Sequence, residues 1–210
     1  MDYLKIADYY ENKFNLHRGD INAEVNWGKD LNANNLRWEA FAEFAKRNNQ
    51  YCDKSVLDMA CGTGSLLYFL GPAEEEMYTG IDINPDMIKE ARRRHPDQVF
   101  IQQDILAQPL VDRFDIVLAN GLFTVKHDLH WTEMVNFTQA ILAELWENTN
   151  DCLAWNLMDN NKISAEDQRS DLFFVSYDSM INLFLKPLKP SGWKINSTYG
   201  YDYIIEVYKN

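Results

Sequence analysis

From residue 54 onward, short apolar runs alternate with amphipathic stretches, and this alternation constrains the fold more than any other feature of the 210-residue chain. Ser55-Val56-Leu57-Asp58-Met59 and Met77-Tyr78-Thr79-Gly80-Ile81-Asp82 read as strands, as do Val99 to Gln103, Phe114 to Ala119 and Cys152 to Leu157. Between them lie helical signals. Ser65 to Leu70 begins a helix that Gly71-Pro72 stops. Asn84-Pro85 supplies an N-cap with proline at the first helical position, and Met87, Ile88 and Ala91 form an apolar face before Pro96. Met134, Phe137, Ile141 and Leu145 step by three and four, the spacing of a core-facing helix. A further helix is predicted near 177–186.

Strands joined through helices make a parallel sheet with helices on both faces. The last two strands, Lys194 to Ser197 and Tyr203 to Tyr208, are too close for a helical crossover and must pair antiparallel. The expected architecture is therefore α/β: a Rossmann-like, doubly wound, mostly parallel seven-stranded sheet with an antiparallel C-terminal hairpin. The first 50 residues differ. They are polar, with widely spaced aromatics, and only about 34–48 has clear helical periodicity; the part through Gly19 and Gly28 reads as irregular or short-helical. The expected division is an N-terminal helical lid segment, 1–50, and a ligand-binding domain, 51–210.

In an open sheet of this kind, ligands bind beyond the carboxyl ends of the strands, where strand order reverses. Four strand ends carry suggestive residues. The first is Asp58-Met59-Ala60-Cys61-Gly62-Thr63-Gly64. Its glycines allow a sharp turn and close backbone approach, yet Leu67 stands where a nicotinamide fingerprint needs its third glycine. An acid two residues before Ala60 repels a pyrophosphate and suits an ammonium group. The second is Asp82, eighteen residues past Gly64, where an acid can accept both ribose hydroxyls. The third is Gln103-Asp104-Ile105: the carboxylate can accept an adenine amino hydrogen while Ile105, Ile83 and Met87 flank the base. The fourth is Asn120-Gly121 after the fourth strand, where backbone carbonyls can meet a second cation.

Taken in order, D-M-A-C-G-T-G, I-D-I-N-P-D-M, Q-Q-D-I and F-D-I-V-L-A-N-G-L-F resemble the four motifs of the class I S-adenosylmethionine-dependent methyltransferases, over about residues 54–125. The terminal hairpin agrees with that family's sheet; Ala60 departs from its usual glycine. The resemblance implies S-adenosyl-L-methionine as cofactor. It also implies that Asp58, Ala60, Gly62, Thr63 and Gly64 meet the amino-acid moiety, Asp82 the ribose, and Ile83, Met87, Asp104 and Ile105 the adenine. Asn120 and Gly121 would face the methionine portion and the methyl group.

The N-terminal segment resembles a small, largely uncharacterised bacterial subgroup suspected of modifying saccharides or small metabolites, which implies a lid over the cofactor. Arg37 would then pair with the cofactor carboxylate, or lie on a helix surface. Tyr10 and Trp27 would line the cofactor and acceptor pocket, or pack the lid.

Methyl transfer requires a base only if the acceptor holds its proton. V-K-H-D-L-H, 125–130, supplies the candidates, His127 and Asp128 first; His17 is a second choice, and the stretch reads equally as a solvated loop. A net charge of -12 and the lack of an N/D-P-P-aromatic turn after the fourth strand argue against nucleic acid. Three cysteines without metal-like spacing argue against a metal site or a disulfide framework. No apolar run reaches a membrane span, and the first residues lack a signal pattern, so a cytoplasmic monomer or homodimer is expected. The leading reading is transfer of methyl to O or N of a small polar metabolite, with saccharides among the candidates. Two others stand beside it: a non-catalytic cofactor-binding partner or sensor, and a nicotinamide oxidoreductase on a similar sheet.

Overall fold

The computed structural model describes residues 2–17, 31–50, 53–164, 166, 168–197 and 201–209. Among the described residues, the helices α1 (Leu4–Leu16) and α2 (Leu31–Asn48) come first. Then follow β1 (Val56–Met59), a single 3₁₀ turn (Ser65–Tyr68), α3 (Pro72–Glu76), β2 (Tyr78–Asp82), α4 (Pro85–Arg94), β3 (Val99–Gln102) and β4 (Phe114–Ala119). The chain continues through α5 (Trp131–Glu147), β5 (Thr149–Met158) and α6 (Tyr177–Met180), which runs on through a wider π-type turn (Ile181–Leu185) and a last helical turn (Lys186–Leu188). It ends with β6 (Gly192–Asn196) and β7 (Asp202–Tyr208).

The seven strands form one sheet in the order β3-β2-β1-β4-β5-β7-β6. The first five are parallel; β7 runs antiparallel to both β5 and β6, as the short connection required. Strand order reverses between β1 and β4, so the site is expected at their carboxyl ends. Period-two alternation divides the core into two layers. Leu57, Val117, Leu153 and Ile205 join Phe137, Ile141 and Phe184 on one face. Val56, Ile116, Ala154 and Ile204 join Phe41, Phe44, Ile88 and Phe100 on the other.

The sequence underestimates the N-terminus. Residues 4–16 form a regular helix with Ile6 and Phe14 buried, where irregular or short-helical chain was expected. Helix α2 lays Phe41, Phe44 and Ala45, all fully buried, into the second layer, so it is a wall of the core. Gly71-Pro72 is the other departure. It starts a helix, because proline at the first helical position forfeits only an N–H that has no intrahelical partner; what precedes it is a 3₁₀ turn. At α4 the reading holds in detail: the Asn84 side chain accepts the Asp86 and Met87 amide hydrogens at 2.9 and 3.1 Å.

Candidate active site

A crevice opens at the carboxyl ends of β1, β2 and β4. Its floor is the turn after β1. Ala60 and Gly62 both take left-handed backbone there, φ 60° and 55°, which turns the chain sharply under the crevice. Alanine in that conformation is strained by about 1–2 kcal/mol.

Asp58 lies on this floor, buried, and its Oδ2 accepts the Tyr78 hydroxyl hydrogen at 2.8 Å. Burial pushes its carboxyl up to about 7; the Asp82 charge adds to the rise and the Tyr78 bond opposes it. The sequence places Tyr78 in a strand but not in the site; its place follows from β1–β2 register, which sets Tyr78 beside Val56.

Asp82 closes β2 and is clamped by backbone. Its Oδ2 accepts from Gly62 N at 2.8 Å and its Oδ1 from Asn84 N at 2.9 Å. Burial raises its pKa, with these amide bonds working against the rise. Each oxygen keeps a second lone pair, so the carboxylate can still accept a pair of hydroxyls. Ile83, Met87, Asp104 and Ile105 line the same end of the crevice. Asp104 is partly occupied by the protein: its Oδ1 accepts from Leu106 N at 3.0 Å and its Oδ2 from the Tyr3 hydroxyl at 2.7 Å. Tyr3 also stacks on Phe137, ring centroids 5.6 Å apart. These contacts dock α1 across the crevice, where Tyr3, Ile6, Ala7 and Tyr10 face inward at helical spacing.

Asn120 and Gly121 follow β4 and also line the crevice. Gly121 N donates to Asn156 Oδ1 at 2.7 Å; Asn156 Nδ2 donates to Asp202 Oδ2 at 2.9 Å, and Arg37 Nε reaches the same oxygen at 2.6 Å. Thus α2, β5 and β7 are tied to the loop after β4 through one buried polar chain. Asn156 and Asp202 carried no signal in the sequence, since a polar residue inside a strand says nothing of its partner until the sheet order is known.

Several expected residues lie elsewhere. Arg37, expected either at the cofactor carboxylate or on a helix surface, is paired with the buried Asp202. Thr63 accepts from Arg94 at 3.0 Å, and Gly64 packs below the turn. A Cβ on Gly64 would sit 2.9 Å from the Phe100 ring and its backbone is left-handed, φ 78°, so the position calls for glycine. His127 and Asp128 do not line the crevice. They border a shallow depression with Lys5, Asp8, Tyr9 and Lys13 on a different face of α1, and the His127 ring lies 5.1 Å from that of Tyr9. His17 ends α1 and is exposed. Trp27 falls outside the described residues.

The donor set fits a cationic nucleoside. Acids lie at both ends of the crevice, and the base-flanking wall is apolar. Among the described residues, no group of three His, Cys, Asp or Glu side chains is placed to hold a metal, and no helix is long and apolar enough to cross a membrane.

Residues 56–145 match a family model described as a methyltransferase domain. A Mycobacterium tuberculosis protein, Rv1506c, that carries a methyltransferase designation is 26% identical over 157 residues, 74% of this chain and 93% of that protein. Trans-aconitate 2-methyltransferase of Escherichia coli O1:K1 is 36% identical over 86 residues; the match spans 40% of this chain and only 32% of that enzyme. Among solved structures, magnesium protoporphyrin IX methyltransferase from Synechocystis PCC 6803, crystallised with bound SAH, superposes with a TM-score of 0.66 at 17% identity, over 100% of this chain and 97% of that one. Residues 56–145 therefore carry a sequence similar to methyltransferase domains, and the motif order, the sheet and the acid-floored crevice are those that the resemblance to the class I S-adenosylmethionine-dependent methyltransferases implies.

Proposed function

We propose that the crevice holds cofactor and acceptor together and that the chain transfers methyl to O or N of a small polar metabolite, with saccharides among the candidate acceptors. The observation that carries this reading is the pairing of an acid-floored nucleoside pocket with α1 across its mouth, where Ile6, Ala7 and Tyr10 leave little room for a macromolecule.

When bound, S-adenosylmethionine supplies a methyl group already activated by the sulfonium charge. The protein's part is orientation. In this reading Asp82 accepts the ribose hydroxyls, while Ile83, Met87 and Ile105 flank the adenine with Asp104 at its edge. Asp58 and the Ala60–Gly62 turn hold the ammonium end. The backbone of Asn120 and Gly121 is fixed by Asn156 beside the methyl group. Helix α1, with Tyr10 inward, is the lid that excludes water. Correct positioning of two reactants can supply about 7–11 kcal/mol of a barrier. His127 and Asp128 would serve as a base only after a shift of α1, so the reading assigns them no step.

Titration calorimetry of Asp82→Ala with S-adenosylhomocysteine tests the cofactor half. Loss of charge-assisted bonds to the ribose is expected to weaken binding by about 10- to 100-fold. Unchanged affinity would take Asp82 off the ribose. Incubation of the protein with methyl-labelled cofactor and a small-metabolite extract tests the other half: label is expected in a small polar product.

A further inference from the structure

The walls of the crevice carry charge of one sign. Asp58, Asp82 and Asp104 line it, and among the described residues that do so none is lysine or arginine. The nearby cations are engaged: Arg37 with Asp202, Arg94 with Glu90 and Thr63. An anionic acceptor entering this space would meet like charge in a setting that screens it poorly. A cationic or neutral one would not.

The same space holds an idle acceptor. Asn120 is 9% exposed, and its Oδ1 is buried with no hydrogen-bond partner. Its neighbours are satisfied, since Gly121 N donates to Asn156 and the Thr124 hydroxyl donates to Gly121 O at 2.9 Å. The Tyr10 hydroxyl, buried on the inward face of α1, also lacks a bond of proper geometry. A buried acceptor left unmatched is costly and therefore informative. It asks for a ligand bearing N–H or O–H.

Between those two, the missing base decides. An alcohol must lose its proton to become a nucleophile; no histidine lines the crevice, its carboxylates Asp58, Asp82 and Asp104 are taken up by the cofactor in the proposed reading, and His127 borders a depression against a different face of α1. A neutral amine attacks through its own lone pair. Resting on the methyltransferase reading of this crevice, we propose that the acceptor is a small amine, held through its N–H by Asn120 Oδ1 with the Tyr10 hydroxyl as second contact. The amine gives up its ammonium proton to water before binding. Its nitrogen lone pair then forms the new C–N bond as the C–S bond breaks and that electron pair stays on sulfur. The positive charge passes from sulfonium to the N-methylammonium product, which keeps its proton.

The test uses the intact chain with methyl-labelled cofactor, after calorimetry with S-adenosylhomocysteine. Absence of cofactor binding would sink the methyltransferase reading itself. With binding present, the labelled products are sorted from a panel of aminosugars and alkylamines, unaminated sugars and carboxylic acids, trans-aconitate included, and from a small-metabolite extract. The expected label is retained on a cation exchanger and stable to mild alkali. Label released as volatile methanol by alkali, label in neutral sugar ethers, or no label in any amine overturns the proposal. Asn120→Leu, which keeps the backbone, is expected to hold S-adenosylhomocysteine within about threefold while amine labelling falls about 10- to 100-fold. Tyr10→Phe should give a smaller loss. Equal labelling by both variants and the parent protein would also overturn it.

Discussion

Two carboxylates beneath the crevice set its pH behaviour. Burial raises Asp58 to about 7 in the folded chain, against 3.8 for an ordinary aspartate. Between about pH 4 and 7 the folded protein therefore retains a proton that the unfolded chain has lost, and this group's contribution to stability declines as pH rises through that window. A cationic cofactor favours the ionised form. Affinity for S-adenosylmethionine should accordingly increase as pH rises through about 7, with a proton released on binding below that point. Calorimetry at pH 6 in two buffers of different ionisation enthalpy reads the proton directly; Asp58→Asn should abolish it, and no release in the parent protein would uncouple Asp58 from the ligand. Ala60 gives a second residue-scale outcome. At φ 60° its Cβ is strained, so Ala60→Gly should stabilise the protein by up to about 1 kcal/mol in denaturant titration, the relief being offset in part by glycine's extra freedom when unfolded. At this scale the sequence was most informative where backbone chemistry is local. Asp82 and Asn84 were legible because a strand-end acid and an Asn-Pro start require nothing distant. Arg37 was not, because its partner Asp202 is 165 residues away and the register of β7 decides the encounter.

Helix α1 is the element whose behaviour the site depends on most. It is held by the Tyr3–Asp104 bond, the Tyr3–Phe137 stack and the buried Ile6 and Phe14, while Leu4 and Leu16 remain exposed. A helix docked outside the sheet in this way should open at lower free energy than the central strands in the free protein. Amide hydrogen exchange over residues 4–16 is expected to slow by about tenfold or more on adding saturating S-adenosylhomocysteine. Equal exchange with and without it would remove α1 from the pocket. The sequence did not disclose this helix, because Tyr3 provides no side-chain cap and its inward residues are mixed with Asp8, Glu11 and Asn12. The central strands were legible for the opposite reason. Residues buried on both faces, as in Val56–Met59, must be an almost unbroken apolar run.

At the scale of the molecule, two sequence signals account for strand direction in the sheet β3-β2-β1-β4-β5-β7-β6: strand–helix alternation for the first five strands and a connection too short for a crossover between the last two; the order itself is carried by neither. The ligand preference should show in global stability as well. S-adenosylhomocysteine at one hundred times its Kd adds about 2.7 kcal/mol, or about 5–10 °C in melting temperature for a chain of this size. NAD should leave the transition where it is, because Asp58 opposes a pyrophosphate and the glycine turn lacks a third glycine; a rise with NAD alone would contradict the cofactor pocket described.

The polar chain from Arg37 through Asp202 and Asn156 to Gly121 has a consequence for biosynthesis. Asp202 lies far downstream of Gly121 in the chain, so a polypeptide cut short before Asp202 contains the entire glycine turn yet lacks the group that fixes the opposite wall. Nonsense or frameshift products ending before Asp202 should therefore fold in part and fail to order the loop after β4 on which the proposed transfer depends.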